Sequence, residues 1–224
     1  MTDRPDGALQ RAGGAQVIPR PPNSTVEYET PWPADASWTV GQLIRSVGPE
    51  SAPELPTFPD AKRSAVLVLL ADGPSGAEVL LTRRSQNLRN HRGEISFPGG
   101  RCDPGETAEQ TALRETEEEV GLSMSRPRVV GELPHLSTVV SKSYVIPVVA
   151  TLDDRPDLSP QTGEADRVMW TPVGELTRPG TYHRERWGLP PLDRPLHFFH
   201  LDDETVWGAT AHMLVSLFRS AVPG

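Results

Sequence analysis

Glu115, Glu118 and Glu119 carry the most chemically suggestive spacing in this chain. On a helix, Glu115 and Glu119 project from one face, and Glu118 sits at its edge. Carboxylates packed so closely repel one another, and a divalent cation removes that cost. Mg²⁺ takes a few carboxylates together with waters and substrate phosphate oxygens, and Mn²⁺ suits the same ligands. The helix therefore reads as half of a metal cage whose other half is a phosphate compound. Arg114 lies one helical turn before Glu118 and can pair with it. Upstream, Arg83, Arg84, Arg89, His91 and Arg92 crowd into one short stretch. Arginine suits phosphate there, because its planar fork makes bidentate contacts.

Local sequence says how these residues are positioned. Pro104-Gly105 interrupts regular structure, Thr107 is an N-cap, and Gly121 is a natural helix stop. Ala108, Ala112 and Leu113 offer a packing side. Residues 65–71 and 78–83 read as a hairpin across an Asp-Gly-Pro-Ser-Gly turn. Further strands are expected at 128–132, 144–152, 168–170 and 196–200, and helices at 173–176 and 207–219. Residues 1–60 read as a Pro-rich extension containing a short amphipathic helix at 37–47, with 1–30 poorly ordered or draped and 51–60 an irregular linker. The folded catalytic domain is expected over 61–224.

Gly100–Leu122 resembles the Nudix box, Gly-x5-Glu-x7-Arg-Glu-U-x-Glu-Glu-x-Gly-U, where U is a bulky aliphatic residue. Gly100, Glu106, Arg114, Glu115, Glu118, Glu119, Gly121 and Leu122 fill its positions; Thr116 alone departs, standing where an aliphatic residue is usual. The preceding segment is similar to the signature of coenzyme A diphosphatases within that family. Leu80, Leu81, Thr82, Arg84, Ser85, Arg89 and Gly93 match it, followed by Phe97-Pro98-Gly99-Gly100.

The resemblance implies a Nudix-type α/β/α sandwich with a mixed β-sheet and metal-dependent hydrolysis of a diphosphate. The expected substrate is coenzyme A or a derivative, giving 3′,5′-ADP and (acyl-)4′-phosphopantetheine, with Mg²⁺ or Mn²⁺ as cofactor. Glu115, Glu118, Glu119 and the carbonyl of Gly100 would ligate metal, while Arg114 holds the glutamates. Glu118 for choice, or else Glu164 from a later loop, would take the proton of the attacking water; SPQTGEAD around Glu164 departs from the commoner Asn-Pro-x-Glu. Arg84, Arg89, Arg92 and Phe97 would meet substrate. Glu106 is assigned to the loop–helix junction. Alternative substrates are ADP-ribose, a dinucleoside polyphosphate or an oxidised nucleoside triphosphate. A non-catalytic nucleotide-binding regulator is a further alternative, but such domains lose box carboxylates and this chain keeps them all. A homodimer is compatible with the resemblance.

Composition narrows the classes. The net charge is −8, and Lys62 and Lys142 are the only lysines, which argues against a nucleic-acid-binding face. Cys102 is the only cysteine, so no intramolecular disulfide forms. No segment reaches the roughly 20 apolar residues of a membrane span. These features point to a soluble, cytoplasmic protein. His197 and His200 would face opposite sides of a strand, and Trp170 and Trp207 are expected in the core.

Overall fold

The computed structural model describes residues 13, 14, 16–48, 59–138, 142–189 and 193–222. Its elements are, in chain order, β1 (Thr25–Glu27), α1 (Val40–Ile44), β2 (Lys62–Gly73), β3 (Gly76–Arg84), β4 (Ile95–Ser96), β5 (Gly99–Arg101), α2 (Ala108–Val120), β6 (Arg128–Glu132), β7 (Leu136–Thr138) and β8 (Ser143–Thr151). There follow β9 (Ala165–Pro172), α3 (Val173–Thr177), β10 (Tyr182–Trp187), β11 (Arg194–His200), β12 (Thr205–Trp207) and α4 (Gly208–Ala221).

The main sheet is mixed and runs β4-β3-β2-β8-β6, with β5 on β2, β7 on β8 and β9 on β3. β2 and β3 form the expected hairpin, reversed at Gly76 with φ +108°. β2 is almost wholly apolar through its middle, as suits a strand covered on both faces. It pairs in parallel with β8, from Lys62↔Ser143 to Leu70↔Thr151. Period-two alternation divides its side chains. Ala65, Leu67, Leu69 and Ala71 pack with Ala108, Ala112, Val120 and Leu122 from α2 and its end. Val68 and Leu70 face the other core, with Leu43, Val173, Leu176, Leu214 and Phe218 from the remaining helices. Each fully buried leucine there contributes about 1.5–3 kcal/mol. The result is an α/β/α sandwich.

β1, β10, β11 and β12 form a second, antiparallel sheet that the sequence reading largely missed. The 37–47 helix is realised as α1, with Thr39 and Gln42 forming a reciprocal capping box. The segment read as an extension is built into the fold over its described part. Trp32 donates to the Thr177 carbonyl at 3.1 Å, and Trp38 to the Thr177 hydroxyl at 2.9 Å. Both indoles lie against Phe218, at 5.4 and 5.6 Å between ring centres. Two buried tryptophans anchor this stretch without any periodicity that a sequence pattern would reveal. Residues 1–12 and 51–58, read as tail and linker, lie outside the described residues. His197 and His200 do face opposite ways: His197 bonds Tyr182, whereas His200 stacks on His183. Among the described residues no helix is long and apolar enough to cross a membrane.

Candidate active site

Helix α2 is fixed at both ends before any charge is placed on it. Thr107 accepts from Gln110 N–H, and Gln110 returns the bond to Thr107 N–H. Gly121 ends the helix at φ +76°, its N–H bonding the Glu117 carbonyl. Thr116 is 1% exposed, and its hydroxyl donates to the Ala112 carbonyl at 2.7 Å. The departure from an aliphatic residue is thus satisfied inside the helix.

Arg114 organises the charges. Its Nε and Nη2 grip both oxygens of Glu106, at 2.8 and 3.1 Å, while Nη1 reaches Glu115 at 3.0 Å and Glu118 at 3.3 Å. Arg114 therefore anchors on Glu106 first and steadies the glutamates second. The Glu106 carboxyl is held at about 2, chiefly by Arg114, with Asp103 N–H and the Thr111 hydroxyl adding to the effect. Glu106 is the junction residue that the sequence suggested.

Glu119 is 6% exposed. Burial pushes its carboxyl up to about 7; the charges of Glu115 and Glu164 push the same way, against Arg84 and a Gly99 backbone hydrogen bond. Glu115 is also raised, by burial first and then by Glu118 and Glu164 against the pull of Arg114. Glu164 joins this group from far along the chain because β9 runs antiparallel to β3. Arg84 pairs with Ala165 across the strands, and Ser85 N–H donates to the Glu164 carbonyl at 2.7 Å. Gln161 N–H meets the Glu119 carbonyl at 2.9 Å, tying the preceding loop to the end of α2.

The two glycines of β5 have different jobs. Gly99 has φ +153°, and a Cβ there would fall 2.4 Å from the Ala65 carbonyl oxygen, so the strand pairing requires glycine. A Cβ on Gly100 would fall 2.5 Å from the Glu115 carboxylate. Glu115 thus lies directly over the Gly100 backbone.

The basic loop returns to the same place. Arg84 N–H bonds the Glu94 carbonyl, and Gly93 N–H bonds the Arg84 carbonyl, closing the loop at 2.9 and 3.0 Å. Arg84 is half-buried, and its Nε has no hydrogen-bond partner among the described residues. Arg89 and Arg92 are exposed. Phe97 is a correction: it is 2% exposed and packs into the core cluster of α1, α3 and α4. Its side chain is spent on core packing beneath the turn. Sequence reasoning also passed over Lys62, Arg63 and Arg101, which line a cleft of about 800 Å³ beside Cys102 and Glu106. The available signal was adjacency, since Arg101 follows Gly100 and β5 pairs with the start of β2.

Among the described residues no three His, Cys, Asp or Glu side chains enclose an ion by themselves. The donor set nevertheless fits a hard cation completed by water and phosphate oxygens. Glu115 and Glu119 are crowded oxygen donors whose proton affinity is raised by burial and by neighbouring carboxylates, Glu164 acting on both, and a cation stabilises such a cluster.

The NUDIX domain family model matches residues 61–191. The chain is 33% identical over 192 residues to Nudix hydrolase 3 of Caenorhabditis elegans, covering 76% of this chain and 78% of that protein. It is 32% identical over 158 residues to a Photorhabdus laumondii protein described as an uncharacterized Nudix hydrolase NudL, covering 70% of this chain and 83% of that one. A solved MutT/nudix family protein from Enterococcus faecalis matches with TM-score 0.50 at 21% identity, over 74% of this chain and 63% of that chain, which bears on the fold alone. A box that departs only at Thr116, on a capped helix with its carboxylates gathered against Gly100 and Glu164, agrees with these matches: the chain belongs to the Nudix family of phosphoanhydride hydrolases.

Proposed function

We propose that this Nudix hydrolase cleaves the diphosphate of coenzyme A or a derivative, with Mg²⁺ or Mn²⁺ as cofactor, releasing 3′,5′-ADP and (acyl-)4′-phosphopantetheine. The observation that carries the reading is the loop bearing Arg84, Arg89 and Arg92. It closes beside the carboxylate cluster, and none of its three guanidiniums is hydrogen-bonded to a carboxylate among the described residues. Arg84 feels the Glu119 charge without a hydrogen bond to it, and Arg89 and Arg92 are exposed; cations so placed beside a carboxylate cluster suit a substrate with more negative charge than one diphosphate. Coenzyme A meets that requirement with its 3′-phosphate.

Glu115, Glu119, the exposed Glu118 and the Gly100 carbonyl would hold the ion. When bound, a divalent ion supplies neutralisation of the diphosphate and a more acidic water. Arg114, braced by Glu106, keeps Glu115 and Glu118 oriented. Arg84 offers its unpartnered Nε to a phosphate oxygen. Glu164 takes the proton of the attacking water. It is exposed on a loop whose carbonyl is fixed by Ser85, whereas the Glu118 oxygens are engaged by Arg114.

The test is a substrate panel with Mg²⁺ and Mn²⁺: coenzyme A, dephospho-coenzyme A, ADP-ribose and a dinucleoside tetraphosphate. Diphosphate cleavage should be fastest with coenzyme A, the one panel substrate that can release 3′,5′-ADP. Arg89→Ala should lose about 10-fold more kcat/KM on coenzyme A than on its dephospho form if it meets the 3′-phosphate, the size of one charge-assisted hydrogen bond. Equal turnover of coenzyme A and ADP-ribose removes the substrate assignment and leaves the hydrolase.

A further inference from the structure

We propose that Glu204 is a positioning residue for the hydrolytic site, acting from the second sheet; the inference rests on the site around Arg84, Glu119 and Glu164 being where cleavage occurs. Glu204 lies in the turn between β11 and β12 and is 2% exposed. One oxygen, Oε1, accepts from both Arg83 Nη1 and Arg167 Nη1, each at 2.8 Å. The other accepts from the side-chain amide of Gln16.

Arg83 and Arg167 are direct partners across the β3–β9 ladder. Like charges directly opposite one another destabilise an antiparallel pair. A single buried carboxylate oxygen shared between them turns that repulsion into a clamp. Asp166 accepts from Arg83 Nε, and Asp203 from the same Arg167 Nη1 that bonds Glu204, each at 2.7 Å.

The clamp sits one residue behind the site. The register shifts between Arg83 and Arg84, and the next pair is Arg84↔Ala165. Ser85 N–H then holds the Glu164 carbonyl. A bulge re-aims the side chains that follow it. The direction of Arg84 and the placement of Glu164 therefore depend on the spacing that Glu204 sets. Gln16 extends the same control to the basic loop, because its amide also donates to the Gly93 carbonyl at 3.3 Å, while its Oε1 accepts Thr205 N–H at 3.1 Å. The N-terminal segment, the second sheet and both flanks of the site thus meet at one carboxylate.

Glu204→Gln keeps the shape and removes the charge that both arginines share; Asp166 and Asp203 still neutralise one arginine each but do not tie the two together, so the spacing immediately behind Arg84 and Glu164 loosens. Misplacement near 1 Å costs on the order of 100-fold, so kcat should fall about 10- to 100-fold below wild type on whichever panel substrate the wild type turns over. Adding Arg167→Gln removes one of the opposed charges, and kcat should recover to within about threefold of Arg167→Gln alone, a coupling that general loosening would not produce. Glu204→Gln with wild-type kcat, or a double variant that shows no recovery, overturns the proposal. If Glu204→Gln yields no folded protein, Gln16→Ala carries the test: KM should rise about threefold or more as the basic loop loses its tether, and an unchanged KM overturns it. If the wild type hydrolyses nothing on the panel, the site assignment fails instead, and the two failures stay distinct.

Discussion

Gly100→Ala should separate catalysis from folding. The added Cβ would lie 2.5 Å from Glu115 Cδ and Oε1 and 2.7 Å from Oε2. Non-bonded heavy atoms rest at roughly 3.5 Å, so the carboxylate must retreat by about 1 Å. It can do so, being the free end of a flexible side chain, and Gly100 has no left-handed φ that alanine would resent. A shift of that size costs on the order of 100-fold in kcat, or about 2.7 kcal/mol of transition-state stabilisation. Stability should barely move. Alanine restricts the unfolded chain by about 0.4–1 kcal/mol, and the partly exposed Arg114–Glu115 pair gives up about 0–1 kcal/mol. The assay is kcat at saturating Mg²⁺ beside thermal unfolding and calorimetric titration of Mn²⁺, which should bind more weakly. Gly99→Ala is the contrasting control: its Cβ would strike Ala65 O at 2.4 Å and Val66 Cα at 2.6 Å, both backbone, at φ +153°. It should cost about 2–6 kcal/mol of stability through strain and overpacking. A Gly100→Ala enzyme with wild-type turnover, or one whose lost activity merely follows a collapsed Tm, would refute the reasoning.

Glu119→Gln should lower turnover by orders of magnitude while its Tm in chelator at pH 8 equals or exceeds wild type, because burial and neighbouring carboxylates disfavour the charge it removes; full activity in the folded variant would sink the assignment. Acid should weaken the second sheet. Burial first, then His212, Arg219 and Arg184, lower His197 from 6.5 to about 4, so the unfolded chain binds the extra proton across that window. The contribution is complete above pH 6.5 and lost as pH falls to 4, by about 3 kcal/mol. Urea midpoints from pH 7 to 4 should show that slope and His197→Phe should flatten it; identical slopes would exclude His197 as the source.

The sequence revealed elements whose burial follows from their own pattern. β2, β3, β8 and α4 are apolar runs or stripes, and Thr107 and Gly121 mark the ends of α2 by local chemistry alone. The box residues were legible for the same reason, since one helix brings them together. β10 was not, because Tyr182–Trp187 reads YHRERW, a charged stretch that looks solvated. Its charges find remote partners, Arg20 on Glu185 and Glu27 on Arg184, while His183 and Trp187 of the same strand also bond Glu185. Glu204 escaped notice likewise, as nothing near it in sequence announces Arg83 or Arg167. Phe97 was misread because a signature fixes its identity without saying which way it points.

The parallel seam between β2 and β8 also sets a timetable. Everything from Arg84 to Glu119 is synthesised between the two strands, and β2 has no partner along that edge until Ser143–Thr151 arrives. Such long-range closure is slow and leaves apolar strand edges exposed meanwhile. A nascent chain that has emerged only through α2 therefore carries every box carboxylate but no finished sheet to hold them. In that interval an apolar strand edge is exposed, and the site is still incomplete when β8 docks, because Glu164 and Glu204 follow it in the chain.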